Sequence, residues 1–397
     1  MMKSQGIEVS LVDINNSALG FEADDENNRI LFGLKGLSKV NEESVEKIIK
    51  GRPYTGIKDF MNRCPLTKTV MLSLIKGGAF DKVDYDWASK ICSEPRIAIM
   101  AYYISIACEP KKRLTLQNLA GLIKANFIPD EFDVQKKIFE FNKYLKTKKS
   151  GECYLLDEPS YNFYIKHFDT DKISLNDNGQ SIISQKEWEK LYKIEMEKIK
   201  TWLTEHHDEV LKSYNTMLFN EMWNKYCEST IAAWEMEACC FYYHPHELIN
   251  INREKYGLSD FMRLPETPEV DYYFKRGGRE IPIYKLTRIV GTVLNKDDNR
   301  SSIALLTIDG VITVKFTKEY YANYKKRISK VNPDGTKTVV EDGWFKRGNK
   351  VMITGFRRED TFVAKSYTNT PTHQLYMITS ISKDGTEMEL EHDRADV

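Results

Sequence analysis

The sequence predicts a multidomain α+β protein, helical through its first two thirds and closing on a β-barrel. Three observations carry that prediction. Apolar residues recur at helical spacing up to about residue 233, and from Ile283 the period changes to two. The stretch from Ile30 to Asp81 reads as two short helical units, each opened by a compact turn. The length of 397 residues, at roughly 150 per domain, leaves room for two or three domains. The expected divisions are a lead at 1–29, tandem hairpin units at 30–82, a helical linking region at 83–233, a connector at 234–282, a barrel at 283–380 and an acidic tail at 381–397.

In the lead, Ile7, Val9 and Leu11 alternate as in a short strand, and Asp13, Asn15 and Ser17 form a turn cluster. In the first hairpin unit, Phe32, Leu34 and Leu37 run into Ser38-Lys39-Val40-Asn41. Val45, Ile48 and Ile49 then repeat at helical spacing until Gly51 and Pro53 stop the helix, with Asn41 placed to cap its start. The second unit places Leu66 and Thr67 before Val70, Leu72, Leu74 and Ile75 and ends at Gly77-Gly78. Such hairpins present backbone N–H groups at a helix N-terminus, where a phosphate oxygen is held without any base being read. Nine Lys or Arg against four acids between residues 32 and 80 suit that role, and Lys35, Lys39, Asn41 and Lys47 are the candidate contacts. An ordinary helical bundle with a solvated lysine face satisfies the same pattern.

The longest apolar run, Ile97 to Cys108, is too short to span a bilayer, and no secretory leader is legible, so no membrane partner and a cytoplasmic location are expected. Seven cysteines without a CxxC pair argue against a disulfide framework and a zinc ribbon, and no metal site is expected. Asp84-Tyr85-Asp86 and Asp169-Thr170-Asp171 have the letters of a carboxylate pair but lack flanking strands, so they read as loop acids and no catalytic residue is assigned. The middle region reads as predominantly helical. Ser184 and Glu187 form a capping box before an apolar face of Trp188, Tyr192, Ile199 and Leu203.

From Ile283 to Tyr367 there are 17 Lys or Arg against 9 Asp or Glu, a basic region inside a chain of zero formal net charge. Strand candidates are Tyr284 to Leu294, Ile303 to Ile308, Val311 to Phe316, Lys350 to Thr354 and Thr361 to Ala364, with a helix at Thr317 to Arg327. Five strands with a helix after the third is the order of an OB fold. An OB groove holds single strands with cations along the phosphates and aromatics under the bases. Arg288, Lys296, Arg300, Lys315 and Phe316 are the candidates, joined by Lys346, Arg347, Arg357 and Arg358. A protein-binding or purely structural barrel is the competing reading.

Four islands in order carry a resemblance: FGLKGLSKV, EKIIKGR with LIKGGAFD, the segment Trp234-Glu235-Met236-Glu237 through His244-Pro245, and Ile289-Val290-Gly291-Thr292-Val293 with Ala304 to Gly310. Together they resemble the C-terminal portion of bacterial-type, C-family DNA polymerase III alpha subunits. In that family the close of the fingers precedes tandem helix-hairpin-helix units, a linking region and an OB fold. Lys39-Val40-Asn41 departs from the family pattern, which has glycines on either side of the hydrophobic residue. The resemblance implies binding of duplex and single-stranded template, with catalysis in a palm domain that this sequence lacks; Mg2+ is expected only there. It also implies a polymerase catalytic chain or domain as partner, in a bacterium or the bacterial host of a phage.

The family's sliding-clamp peptide, glutamine followed after two residues by an aliphatic and an aromatic, is matched by Gln135-Lys136-Lys137-Ile138-Phe139. Val134, Ile138, Phe141 and Leu145 also describe a packed amphipathic helix there. Gln374 to Ile378 is a looser match whose alternation suggests a strand. The expected function is therefore a DNA-binding part of a replicative polymerase, with a replisome scaffold as the alternative.

Overall fold

The computed structural model describes residues 7–332, 336–367 and 373–394. The chain forms two compact units, one from Met1–Met100 with Ser229–Val397 and the other from Ala101–Glu228. Asp396 of the expected acidic tail lies outside the described residues.

The first unit opens with a small sheet of β1 (Glu8–Val9), β2 (Glu22–Asp24) and β3 (Arg29–Leu31), in which β3 pairs parallel to β1 and antiparallel to β2. Helices α1 (Glu42–Lys50), α2 (Ile57–Arg63) and α3 (Lys68–Lys76) follow. The sequence predicted two helices here; α2 lies between them because Ile57 and Phe60 are both fully buried. Asn41 caps α1, its side chain accepting the Ser44 N–H at 2.9 Å. Asp84, expected to be a solvated loop acid, is 5% exposed and ties the chain after α3 back to α2. Its carboxylate accepts from the Ile57 N–H and the Trp87 indole. A four-residue helix, α4 (Tyr85–Ala88), leads to α5 (Pro95–Ala107).

The second unit contains α6 (Leu119–Lys124), α7 (Asp133–Leu145), α8 (Glu158–His167), α9 (Gln185–Glu205) and α10 (His207–Tyr226). Its core joins Leu119, Leu122, Ile138, Leu145, Trp188, Met196, Ile199 and Leu203. The region is not helical throughout. Strands β4 (Lys149–Ser150), β5 (Cys153–Leu155), β6 (Ile173–Leu175) and β7 (Ser181–Ser184) form a sheet in the order β4-β5-β7-β6. At two to four residues each, they are too short for a period of two to register in the sequence. Ser184 ends β7 and caps α9 by accepting the Glu187 N–H.

The chain re-enters the first unit through α11 (Ile231–Cys239) and α12 (Arg253–Tyr256), then a hairpin of β8 (Val270–Arg276) and β9 (Arg279–Tyr284). The barrel strands follow as β10 (Thr287–Asp297), β11 (Ser302–Thr307) and β12 (Gly310–Lys315), then α13 (Lys318–Lys325), a side hairpin of β13 (Ile328–Val331) and β14 (Lys337–Glu341), β15 (Lys350–Arg358) and β16 (Thr361–Ala364). Hydrogen bonding runs β10-β11-β12-β16-β15 and returns to β10, so five strands close a mixed OB-like barrel with the helix after the third. Alternation fills it: Ile289, Val293, Ile303, Leu305, Ile312, Val314, Val351 and Ile353 point inward. The helix α13 adds Tyr321 and Tyr324 to the same core. Gly355 sits where β15 passes from pairing with β17 to pairing with β16, and a Cβ there would meet the Val363 carbonyl at 2.1 Å.

Beyond the barrel, β17 (Leu375–Ile381) pairs with β15 and β18 (Met388–Glu391) with β17. The expected acidic tail therefore contains a strand. Met388 and Leu390 pack inward while the acids alternate outward, a short period-two pattern masked by its charge.

Candidate nucleic-acid interface

The first hairpin is built as a phosphate cradle would be, but much of it is already occupied. Lys39 adopts a left-handed backbone with φ of 64°, the conformation that glycine supplies most cheaply. The Ser38 N–H donates to the Ala238 carbonyl at 2.7 Å, and the Ser73 hydroxyl donates to the Ser38 carbonyl at 2.5 Å. The loop is thereby fastened to α11 and α3. At the start of α1 the Asn41 cap takes one helix-end donor, and Glu42 and Glu43 stand in the first turn. Two carboxylates there oppose an incoming phosphate. Lys47 is paired with Glu43 at 2.7 Å, and Lys39 reaches Glu237 at 3.4 Å. Lys35 is exposed at the start of the hairpin, with no ion pair among the described residues. The N-terminus of α3 is less encumbered: no side chain caps it and no acid stands in its first turn.

Beneath the hairpins lies an ionic network whose Glu235 and Glu237 belong to a segment that carries the resemblance, although the sequence assigned them no role. Glu235 on α11 is fully buried and accepts from Arg96 Nη1 at 3.0 Å, the Tyr243 N–H at 3.0 Å and the His244 N–H at 2.9 Å. The two amides meet Oε2, and Oε1, which meets Arg96, also holds His244 Nδ1 at 2.7 Å. Arg96, 3% exposed, binds Asp81 as well through Nε at 2.9 Å. Glu237 joins buried Lys76 at 2.5 Å to Lys39. The acids before the His-Pro segment thus hold the hairpin region, the end of α3 and the connector together. The only legible signal for Arg96 was a lone cation at the start of an apolar helix.

The next turn of the connector seats the barrel. His246 accepts the Leu248 N–H at Nδ1 and donates from Nε2 to the Leu306 carbonyl at 3.2 Å, so it carries its proton on Nε2. Burial lowers its pKa from 6.5 to about 4, keeping the ring neutral at physiological pH. The Tyr242 hydroxyl meets Thr292 Oγ1 at 2.9 Å, and Tyr242, Ala232 and Met236 pack on Leu294 and Leu306. This covers part of the outer face of β10 and β11, whereas the face that OB folds commonly use for nucleic acid is that of the second and third strands, here β11 and β12.

The barrel candidates fall into separate groups. Lys296 and Lys315 both flank the start of β11, since Lys296 pairs with Ile303 and Lys315 with Ser302, and Arg300 lies in the turn between β10 and β11. The structure therefore brings Lys296, Arg300 and Lys315 to one end of the sheet, where Arg300 is 80% exposed with Asp297 at 3.8 Å. Arg288 lies eight residues back along β10, roughly 26 Å away. Its guanidinium donates to the Tyr256 carbonyl and lies over the Tyr376 ring. Arg358 is near that end, over Tyr284 and Phe356. Lys346 pairs with Asp342, and Arg347 donates to the Leu294 carbonyl and Cys240.

Three expectations meet a packing constraint. Phe316 is 8% exposed and packs at a tilt against Phe345 and Tyr321 in the barrel core, so its ring is not presented to a base. Arg357 is buried over Phe261 and donates to the Leu264 and Glu359 carbonyls, a cation used to join strand to connector. In the pentapeptide on α7, Ile138 is fully buried and Gln135 donates to Glu195 at 2.6 Å, with Phe139 packed against the same core. The helix reading describes that segment. Gln374 is likewise buried, ahead of strand β17.

A helix-hairpin-helix module combined with a closed OB-like barrel supports DNA binding. The family model described as the helix-hairpin-helix motif matches residues 6–89. Over its whole length the chain is 37% identical to a probable DNA polymerase, YorL, of Bacillus subtilis (strain 168), and equally to a DNA-directed DNA polymerase of Bacillus phage SPbeta. It spans 30% of the length of each. It is also 34% identical to DNA polymerase III subunit alpha of Aquifex aeolicus (strain VF5) over 119 residues, 28% of this chain and 10% of that protein. These similarities fit a C-terminal portion of a phage-linked polymerase of the DNA polymerase III alpha type. No helix among the described residues is long and apolar enough to cross a membrane.

Proposed function

We propose that this chain is the DNA-holding part of a DNA polymerase III alpha-type protein and positions primed template for a palm domain supplied by other residues. The observation that carries the reading is similarity along the whole of this chain to 30% of the length of DNA polymerases, in a chain that joins a hairpin module to a basic OB-like barrel. In this reading Lys296, Arg300 and Lys315 track single-stranded template. The α3 N-terminus and Lys35 contact duplex, while the occupied Ser38–Asn41 loop contributes orientation more than affinity. Mg2+ belongs to the palm, and the setting is the cytoplasm of a bacterium or a phage-infected one. A sliding clamp would be met elsewhere than the Gln135–Phe139 segment, where Gln135 and Ile138 are buried and Phe139 is half-buried against the same core.

The test is fluorescence anisotropy of the purified chain with a primed template, a short duplex carrying a single-stranded overhang. Binding at about 50 mM salt is expected, with the logarithm of the affinity falling linearly in log salt by roughly 0.7 to 0.9 per phosphate contact. Absence of binding at that salt refutes the proposal and leaves the replisome-scaffold reading in its place.

A further inference from the structure

The hairpin β8–β9 projects from the barrel with a composition that its fold does not require. Its turn is Gly277-Gly278, with φ of 59° and 78°, the positive pair that a tight two-residue hairpin turn demands. Cross-strand register places Tyr272 opposite Ile283, Phe274 opposite Ile281 and Arg276 opposite Arg279. Opposed residues share a face, as do alternate residues along a strand, so these six line one side of the ribbon. Tyr272, Phe274 and Ile281 are between 42% and 51% exposed. The other face carries Tyr273 with Pro282, and Lys275 paired with Glu280 at 3.3 Å.

Two features of the first face point to a ligand. Arg276 and Arg279 stand directly opposite each other, an arrangement that repels, and neither has an acidic partner among the described residues. An anion between them would remove the repulsion and be held from both sides. At the base of the same face opens a pocket of about 440 Å³, lined by Tyr272, Ile283, Tyr284, Arg288 and Tyr367, with Asp271 as its one carboxylate. Ring faces, a cation and modest volume are what an unpaired base needs.

We propose that this face and the pocket at its base form a binding track for single-stranded DNA. Arg276 and Arg279 share a backbone phosphate, Phe274 offers a ring to a base, and a second base enters beside Tyr272 and Arg288. The track runs roughly 13 Å from Tyr272 to Arg276, at 3.3 Å per strand residue. It rests on the DNA-holding reading above and adds a surface distinct from the Lys296–Arg300–Lys315 end of the barrel.

The test measures anisotropy of a fluorescein-labelled oligo(dT) of about 20 nucleotides with the full chain, with the double variant Arg276→Ala/Arg279→Ala and with Phe274→Ala. Roughly tenfold weaker binding is expected of each. The double variant's salt slope should also be shallower by about 0.7, from the one lost single-strand phosphate contact, whereas Phe274→Ala keeps the original slope. These side chains are exposed, so circular dichroism of both variants should match the unaltered chain. If the unaltered chain binds and both variants bind as tightly with the same slope, this inference falls and the DNA-holding reading stands. If the unaltered chain binds neither oligo(dT) nor primed template, both fall. Concentration-dependent self-association abolished by Phe274→Ala, with DNA affinity unchanged, would assign the face to a second copy of the chain and overturn the proposal.

Discussion

Replacing Glu235 by alanine tests whether the buried network sets the position of the connector under the hairpins. The carboxylate is fully buried and accepts four hydrogen bonds, from Arg96, His244 Nδ1 and the Tyr243 and His244 amides. Tyr243 and His244 lie near the surface, so water can replace their lost bonds. Arg96, 3% exposed, cannot be rehydrated without opening the structure, although it keeps Asp81. A broken buried pair costs roughly 3–5 kcal/mol, and the retained Asp81 contact places Glu235→Ala near the lower end. Glu266→Ala is the control. It also removes an arginine's carboxylate, but Glu266 is 73% exposed and Arg357 keeps its carbonyl acceptors, so the loss should stay under about 1 kcal/mol. Hydrogen exchange read by mass spectrometry resolves the effect locally: α11 peptides should open more easily in Glu235→Ala, while α9 peptides in the other unit keep their protection. A loss below about 1 kcal/mol in α11, or an equal loss in α9, would refute the reasoning.

Four further outcomes are expected. His246 has a folded pKa of about 4 against an ordinary 6.5, so its neutral form stabilises the fold fully above pH 6.5 and that contribution is lost as pH falls toward 4. The loss amounts to on the order of 3 kcal/mol. Urea midpoints from pH 7 to 4 should fall less steeply in His246→Gln. Replacing Lys296, Arg300 and Lys315 together by alanine should flatten the salt dependence of single-strand binding by about 2, with thermal unfolding little changed. Ile138→Ala should destabilise the Ala101–Glu228 unit by about 2–5 kcal/mol because a fully buried side chain leaves a cavity, which chemical denaturation would register. Gly355→Ala should cost the barrel about 1–3 kcal/mol, read as a lower melting temperature, since the new Cβ meets backbone that no rotamer change can move aside.

Long periodic segments were legible from sequence because their side-chain repeat is itself the folding instruction. The helix from Glu42 to Lys50 with its Asn41 cap, the helix after Thr67, and the barrel strands with the helix after the third all follow from spacing and punctuation. The short strands between Lys149 and Ser184 and the charged strand Met388–Glu391 did not, since a few residues or a masking charge defeats a periodicity argument. Among site residues, exposed cations such as Lys296, Arg300 and Lys315 were identifiable by type. Phe316, Arg357 and Ile138 were of the right type and were drawn into cores and joints by contacts between distant segments.

By itself the sequence determined the classes of element, their order and the sign of charge along the chain, all consequences of local spacing and composition. Tertiary structure alone decided which charges remain available. Glu237 closes on Lys39 from 198 residues away, Glu235 on Arg96 from 139, and the Ala238 carbonyl takes the Ser38 amide. Which donors and cations are already satisfied depends on contacts between segments far apart in the chain, and no local pattern encodes those contacts.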